Sequence, residues 1–97
     1  MIIYIDIDET ICHSPNKPDY ISSTPIIENI IKANKLYDDG HTIIYWTARG
    51  TATGLDWTEV TKNQFKEWGV QYHGLKFGKP NYDLFIDDKN MNTKDWL

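Results

Sequence analysis

Two apolar stretches without helical spacing stand out in the first half of the chain. Residues 2–7 read IIYIDI and residues 41–47 read HTIIYWT, and β-branched or aromatic side chains dominate both. Near-continuous runs of this length are typical of strands that a parallel sheet buries on both faces. The pattern therefore predicts strands over 2–7 and 41–47.

Apolar residues with helical spacing follow each of these strands. The first helix is predicted to begin near Thr24, an N-cap residue before a proline, and to end at Gly40. The second is predicted to begin at Asp56, which forms a capping-box pattern with Glu59, and to end at Gly69. The predicted inward faces consist of Ile27, Ile30, Ile31 and Tyr37 in the first helix, and Trp57, Val60, Phe65 and Trp68 in the second.

The remaining segments complete an alternation of strands and helices. Residues 12–23 carry prolines and serines and are predicted to form a loop. We expect strands over 70–75 (VQYHGL) and 82–88 (YDLFIDD), and a short helix near 93–97. Strand-helix alternation with short connections implies a parallel sheet with right-handed crossovers. The prediction is one α/β domain over 1–97, Rossmann-like and three-layered, with four strands in the order 3-2-1-4.

Acidic residues cluster where predicted strands end. Asp6 and Asp8 follow the first strand, and Asp87 and Asp88 follow the fourth, while Thr47 ends the second. Ligands bind beyond the carboxyl ends of the strands in open sheets of this kind, so these residues are expected at one edge. Carboxylate oxygens suit Mg²⁺. A single aspartate at a strand end is otherwise an ordinary turn residue.

The same positions carry a family resemblance. Asp-Ile-Asp-Glu-Thr at 6–10 resembles the Asp-x-Asp-x-Thr motif of the haloacid dehalogenase superfamily, with Glu9 at a variable position. Thr47 resembles its second motif, Lys79 in Gly-Lys-Pro its third, and Ile-Asp-Asp at 86–88 its fourth. The motifs occur in the family's order and span residues 2–88. Lys76 and Lys89 compete with Lys79 for the third position.

The resemblance implies a phosphatase that works through an aspartyl-phosphate. Asp6 is then the nucleophile, and Asp8 the acid that protonates the leaving oxygen and later the base that activates water. Thr47 and Lys79 are then catalytic groups that hold the phosphoryl oxygens. The implied cofactor is Mg²⁺.

The resemblance also implies the metal ligands and the substrate contacts. The implied ligands of the Mg²⁺ are Asp6, Asp8 through its backbone carbonyl, Asp87 and Asp88, and the choice between the last two as direct ligand is open. The implied substrate contacts are Thr10, the backbone N–H of Ala48, and Arg49. Arg49 could instead form a salt bridge to Asp87 or Asp88.

The spacing between the motifs leaves no room for a cap domain over the site. The compact plan, with YWTARG and GKPNYDLFIDDK, resembles small phosphatases of capsule and polysaccharide synthesis, which implies a sugar phosphate as substrate. A polynucleotide 3′-phosphatase or nucleotide phosphatase is the alternative, and the net charge of −4 disfavours it. A degenerate, non-enzymatic binding or regulatory module is a further possibility, whereas the motif order disfavours a receiver domain.

The amino-acid composition indicates the kind of cellular compartment in which the protein is expected. One cysteine, Cys12, excludes an internal disulfide and suits a reducing compartment. No apolar run approaches the roughly 20 residues of a membrane span, and no signal peptide is evident. We therefore expect a cytoplasmic protein that does not bind membranes. Four strands leave a sheet edge exposed, so a homo-oligomer is also expected.

Overall fold

The computed structural model of the chain covers residues 1–97, and a parallel sheet of three strands lies at its centre. The chain also forms two helices, a two-stranded antiparallel pair and one turn of 3₁₀ helix. The elements in chain order are β1 (Ile2–Ile5), β2 (Cys12–His13), β3 (Thr24–Pro25), α1 (Ile27–Asp38), β4 (Thr42–Trp46), α2 (Thr58–Trp68), β5 (Gly74–Lys76) and the 3₁₀ turn Thr93–Asp95.

The central sheet has the order β1-β4-β5, and every pair in it is parallel. Helix α1 connects β1 to β4, and α2 connects β4 to β5. The prediction of an α/β chain with a parallel sheet is confirmed, and so is the order of its first three strands. Part of the predicted 12–23 loop is more regular than expected, because β2 pairs with β3.

The predicted fourth strand over 82–88 does not form, and the prediction of a four-stranded sheet is wrong. No backbone hydrogen bond involves residues 80–91, and every residue of this stretch is exposed. Pro80 lacks an N–H to donate. Aspartate is depleted in strands, and Asp83, Asp87 and Asp88 make up three of the seven residues in 82–88.

The helix boundaries depart from the predicted capping signals. Helix α1 begins at Ile27 rather than Thr24, and its N-cap residue Ile26 makes no side-chain cap bond. Asp56 does accept a hydrogen bond from the Thr58 N–H at 2.9 Å, but Glu59 makes no reciprocal bond. Gly69 ends α2 in the left-handed conformation, as predicted.

The core lies between the sheet and the two helices. Ile43 and Tyr45 of β4 are completely buried, and Phe65 of α2 packs its ring edge-on against Tyr45 at a centroid distance of 4.9 Å. The predicted inward face of α1 is wrong at two positions, because Ile27 and Ile31 are 54% and 62% exposed. The buried stripe of α1 instead contains Asn29, Ile30 and Ala33. Neither helix is long and apolar enough to cross a membrane.

Strand β1 forms one outer edge of the sheet. It pairs only with β4, and its residues Ile2 and Tyr4 are 70% and 49% exposed. Unpaired edges of this kind invite pairing with another chain. The homo-oligomer stays a prediction.

Candidate active site

The carboxyl ends of β1 and β4 bring together the residues that the first three motifs predict. Parallel register places Ile5 beside Tyr45, so the residues that follow the two strands are neighbours. The Thr47 carbonyl accepts a hydrogen bond from the Lys79 N–H at 3.1 Å, which fixes the Lys79 backbone against the end of β4. The predicted meeting of strand ends is therefore observed for β1 and β4.

Lys79 provides the positive charge next to Asp6. Its Nζ lies 3.5 Å from Asp6 Oδ1, and the side chains of Lys79 and Asp6 are 12% and 40% exposed. Burial raises the pKa of Asp6, the charge of Asp8 adds to this effect, and Lys79 opposes it. Asp6 is thus a partly accessible carboxylate that faces a fixed ammonium group.

Asp8 is held in a two-point ion pair with Arg49. The Arg49 Nε donates to Asp8 Oδ2 at 3.0 Å, and Nη2 donates to Oδ1 at 2.9 Å. The hydroxyl of Ser14 also donates to Oδ1. Burial by itself favours a higher pKa for Asp8, but the hydrogen bonds and charge of Arg49 outweigh it and hold that pKa below its ordinary value.

Arg49 is buried, and its remaining donors are also satisfied. Its Nη1 donates to Thr61 Oγ1 at 2.9 Å and to Gln64 Oε1 at 2.6 Å. The guanidinium lies over the ring of Tyr20, 4.7 Å from the ring centroid. Arg49 was predicted to contact substrate or to pair with Asp87 or Asp88. It pairs with Asp8 instead, because α2 and Tyr20 enclose it.

The environments of Asp6 and Asp8 push their pKa values apart, in the direction opposite to the roles implied by the sequence. Asp6, the implied nucleophile, has the raised pKa, and Asp8, the implied general acid, has the lowered one. A separation of this kind assigns different roles to two carboxylates. In this arrangement Asp8 is the stronger acid and carries its negative charge.

The other predicted contacts differ in accessibility. Thr47 is completely buried, and its Oγ1 accepts a hydrogen bond from the Arg49 N–H at 3.1 Å. Ala48 lines the cavity above the strand ends, as its predicted role requires. The predicted substrate contact of Thr10 is not seen, because its Oγ1 is hydrogen-bonded to the Thr93 hydroxyl at 3.0 Å.

The four acids proposed as magnesium ligands do not assemble. Asp87 and Asp88 lie in the exposed 80–91 stretch, and the pairing of the Asp8 carboxylate with Arg49 leaves the backbone carbonyl of Asp8, the predicted ligand, uninvolved. No group of three or more histidine, cysteine, aspartate or glutamate side chains is placed to hold a metal ion. The magnesium centre stays a prediction.

A cavity of about 140 Å³ opens over the strand ends. It is lined by Asp6, Asp8, Lys17, Tyr20, Ala48, Arg49 and Asn81.

Some residues of the site were not among the sequence-predicted ones. Lys17 and Asn81 belong to loops and carry no periodic signal. Thr61 and Gln64 had a usable signal, because they are polar residues spaced to share the inward face of α2, where an unpaired polar group is costly.

Comparison with known proteins supports the fold alone. No protein-family model and no curated protein matches this chain. A crystal structure of a structural-genomics target from Vibrio cholerae is similar, with a TM-score of 0.88 and 21% sequence identity. The similarity covers 99% of this chain and 87% of the other. The two chains share a fold, and this identity is too low to carry function across.

Proposed function

We propose that this protein is a capless phosphatase of the haloacid dehalogenase type that hydrolyses phosphomonoesters through an aspartyl-phosphate on Asp6. The observation that carries the proposal is the pairing of Asp6 with Lys79 at the carboxyl end of β1, two residues before the ion-paired Asp8. A partly exposed carboxylate beside a fixed cation can approach a phosphoryl group whose charge the cation offsets.

The reaction transfers the phosphoryl group twice. A carboxylate oxygen of Asp6 attacks phosphorus, the bond from phosphorus to the ester oxygen breaks, and the ester oxygen leaves as the alcohol with a proton from protonated Asp8. Water then attacks the aspartyl-phosphate, which regenerates Asp6 and releases phosphate. Lys79 lies close enough to Asp6 to neutralise charge on the phosphoryl oxygens in both steps.

Asp8, as it is paired with Arg49, is suited to the role of base in the second step. As a carboxylate it can accept a proton from the attacking water. Donating a proton to the leaving alcohol requires Asp8 first to gain one, which Arg49 opposes. The proton that Asp8 accepts from water in the second step is the one that it donates to the leaving alcohol in the next turnover.

The proposed substrate is a sugar phosphate, and the proposed location of the protein is the cytoplasm. The similarity of the motif segments to phosphatases of polysaccharide synthesis supports this class, and the acidic net charge of −4 disfavours a nucleic-acid end.

Magnesium dependence is proposed from the sequence motif alone. Because the four acids are not assembled, no step above is assigned to a metal ion. Chelation followed by addition of Mg²⁺ tests this part separately, with loss and recovery of phosphate release as the expected result.

A phosphate-binding module without catalysis is the second candidate. The specific observation in its favour is that Thr47 is completely buried and that no three histidine, cysteine, aspartate or glutamate side chains are grouped to hold a metal ion. Phosphate release from a panel of sugar phosphates, nucleotides and 3′-phosphorylated oligonucleotides separates the candidates. Turnover of sugar phosphates supports the first, and binding without turnover of any member supports the second.

A further inference from the structure

A second and larger cavity lies beside the one that contains Asp6. It has a volume of about 370 Å³, against about 140 Å³ for the first. Sites for small molecules usually measure about 300 to 1,000 Å³. The cavity over Asp6 is therefore large enough for a phosphoryl group but small for the rest of a substrate.

The two cavities adjoin. Arg49 lines both, with Ala48 in the wall of the first and Gly50 in the wall of the second. Gly78 lines the larger cavity immediately before Lys79, and the Thr51 hydroxyl donates to the Lys79 carbonyl at 2.8 Å. Consecutive residues of the 48–50 segment and of the 78–79 segment thus place the larger cavity next to the Asp6–Lys79 pair.

The wall chemistry of the larger cavity is mixed. Trp57 and Phe77 supply aromatic surface, while Asp56 and Thr58 supply oxygen atoms. Hydrogen bonds from Thr58 lower the pKa of Asp56, which favours its acceptor-only carboxylate form. The Trp57 Nε1 is buried and has no hydrogen-bond partner.

We propose that the larger cavity, walled by Asp56, Trp57 and Phe77, binds the sugar portion of the phosphomonoester. The inference rests on the proposed function and adds the location of the leaving group to it. A sugar ring offers C–H surface to aromatic rings and hydroxyl groups to a carboxylate, and this cavity provides both kinds of contact. The Trp57 indole lies in the wall that the sugar contacts.

A bulky substitution at Leu55 tests the cavity by occupying it. Leu55 lines the cavity and is 59% exposed, so Leu55→Trp adds volume there without disturbing the core. We expect kcat/KM for glucose 1-phosphate to fall roughly tenfold more than kcat/KM for acetyl phosphate, which has no sugar. The matched control is Ile31→Trp on α1, which is 62% exposed, does not line the cavity, and should change neither value.

An NMR titration provides a readout that does not depend on turnover. In Asp6→Asn protein, the indole N–H signal of Trp57 should shift on addition of glucose 1-phosphate and stay in place with inorganic phosphate.

The outcomes of the two experiments test the sugar site and the phosphatase activity separately. Equal loss for both substrates in Leu55→Trp, or a Trp57 signal that glucose 1-phosphate leaves in place, overturns the sugar site while phosphate release still supports the phosphatase. Absence of phosphate release from both compounds and from every member of the substrate panel overturns the phosphatase, and the Trp57 signal then decides the sugar site alone.

Discussion

The guanidinium of Arg49 and the carboxylate of Asp8 form a two-point ion pair at the carboxyl edge of the sheet, with Nε–Oδ2 and Nη2–Oδ1 distances of 3.0 and 2.9 Å. The Arg49 side chain has no exposed surface, and that of Asp8 is 12% exposed. This pair ties the loop after β1 to the loop after β4. It also places Asp8 next to the positive charge of Arg49, whose side chain is fixed by its buried contacts.

Removal of the Arg49 charge should destabilise the protein strongly. Arg49→Met leaves Asp8 partly buried without its cation, and breaking one partner of a buried pair costs about 3 to 5 kcal/mol. Urea unfolding at pH 7 measures this. The control is Lys35→Met, which breaks the exposed Lys35–Asp39 pair and should cost less than about 1 kcal/mol. Equal effects of the two variants would contradict a structural role for the Arg49 pair.

The same pair predicts a pH dependence of stability. Because the native pKa of Asp8 is lowered, its contribution to stability is complete above the unfolded value of about 3.9 and is lost as pH falls through the native value. The difference in unfolding free energy between wild type and Arg49→Met should therefore narrow below about pH 4. A difference that stays constant from pH 7 to pH 3 argues against this ionisation state.

Lys79, rather than Lys76, should be required for phosphate release. Lys79 lies beside Asp6, whereas the Lys76 Nζ hydrogen-bonds the Tyr4 hydroxyl at 2.9 Å. Lys79→Met should lower kcat by about 10²- to 10³-fold, as loss of a transition-state charge contact does. Lys76→Met is the matched control and should stay within about twofold of wild type. The reverse order of effects would assign the third motif to Lys76.

Cys12 should resist modification in the folded protein. Its side chain is completely buried, and burial, followed by the charge of Asp8, raises the pKa of the thiol to about 12. Thiolate is the reactive form, so a disulfide reagent at pH 8 should react slowly with native protein and rapidly in urea. Rapid reaction of the native protein would show that the loop containing Cys12 opens.

The central strands of the fold could be predicted from local sequence patterns, but the strand expected at the sheet edge and the buried face of α1 could not. The runs before Asp6 and Thr47 specify buried strands without reference to the rest of the chain, and the order of the first three strands followed from alternation. The fourth strand failed because 82–88 combines apolar residues with three aspartates, and the hydrophobic pattern outweighed them in the prediction. The predicted burial of Ile31 was wrong because tertiary packing, and not the apolar pattern alone, decides which stripe of α1 is buried.

The site was predictable as a set of positions but only partly as a set of contacts. Asp6 and Lys79 meet as the motif order suggested, although they are 73 positions apart in the sequence. The partner of Arg49 was not predictable, because the choice between Asp8 and the later acids depends on how α2 encloses the guanidinium through Thr61 and Gln64. Side-chain burial decided the pairing.

Phosphate release from glucose 1-phosphate by wild type and Asp6→Asn protein, measured with Mg²⁺ and after chelation, tests the nucleophile most directly. Asp38→Asn, at an exposed residue of α1, serves as the matched control. We expect turnover by wild type and Asp38→Asn, and a loss of at least about 10³-fold in Asp6→Asn. Full activity of Asp6→Asn would contradict it.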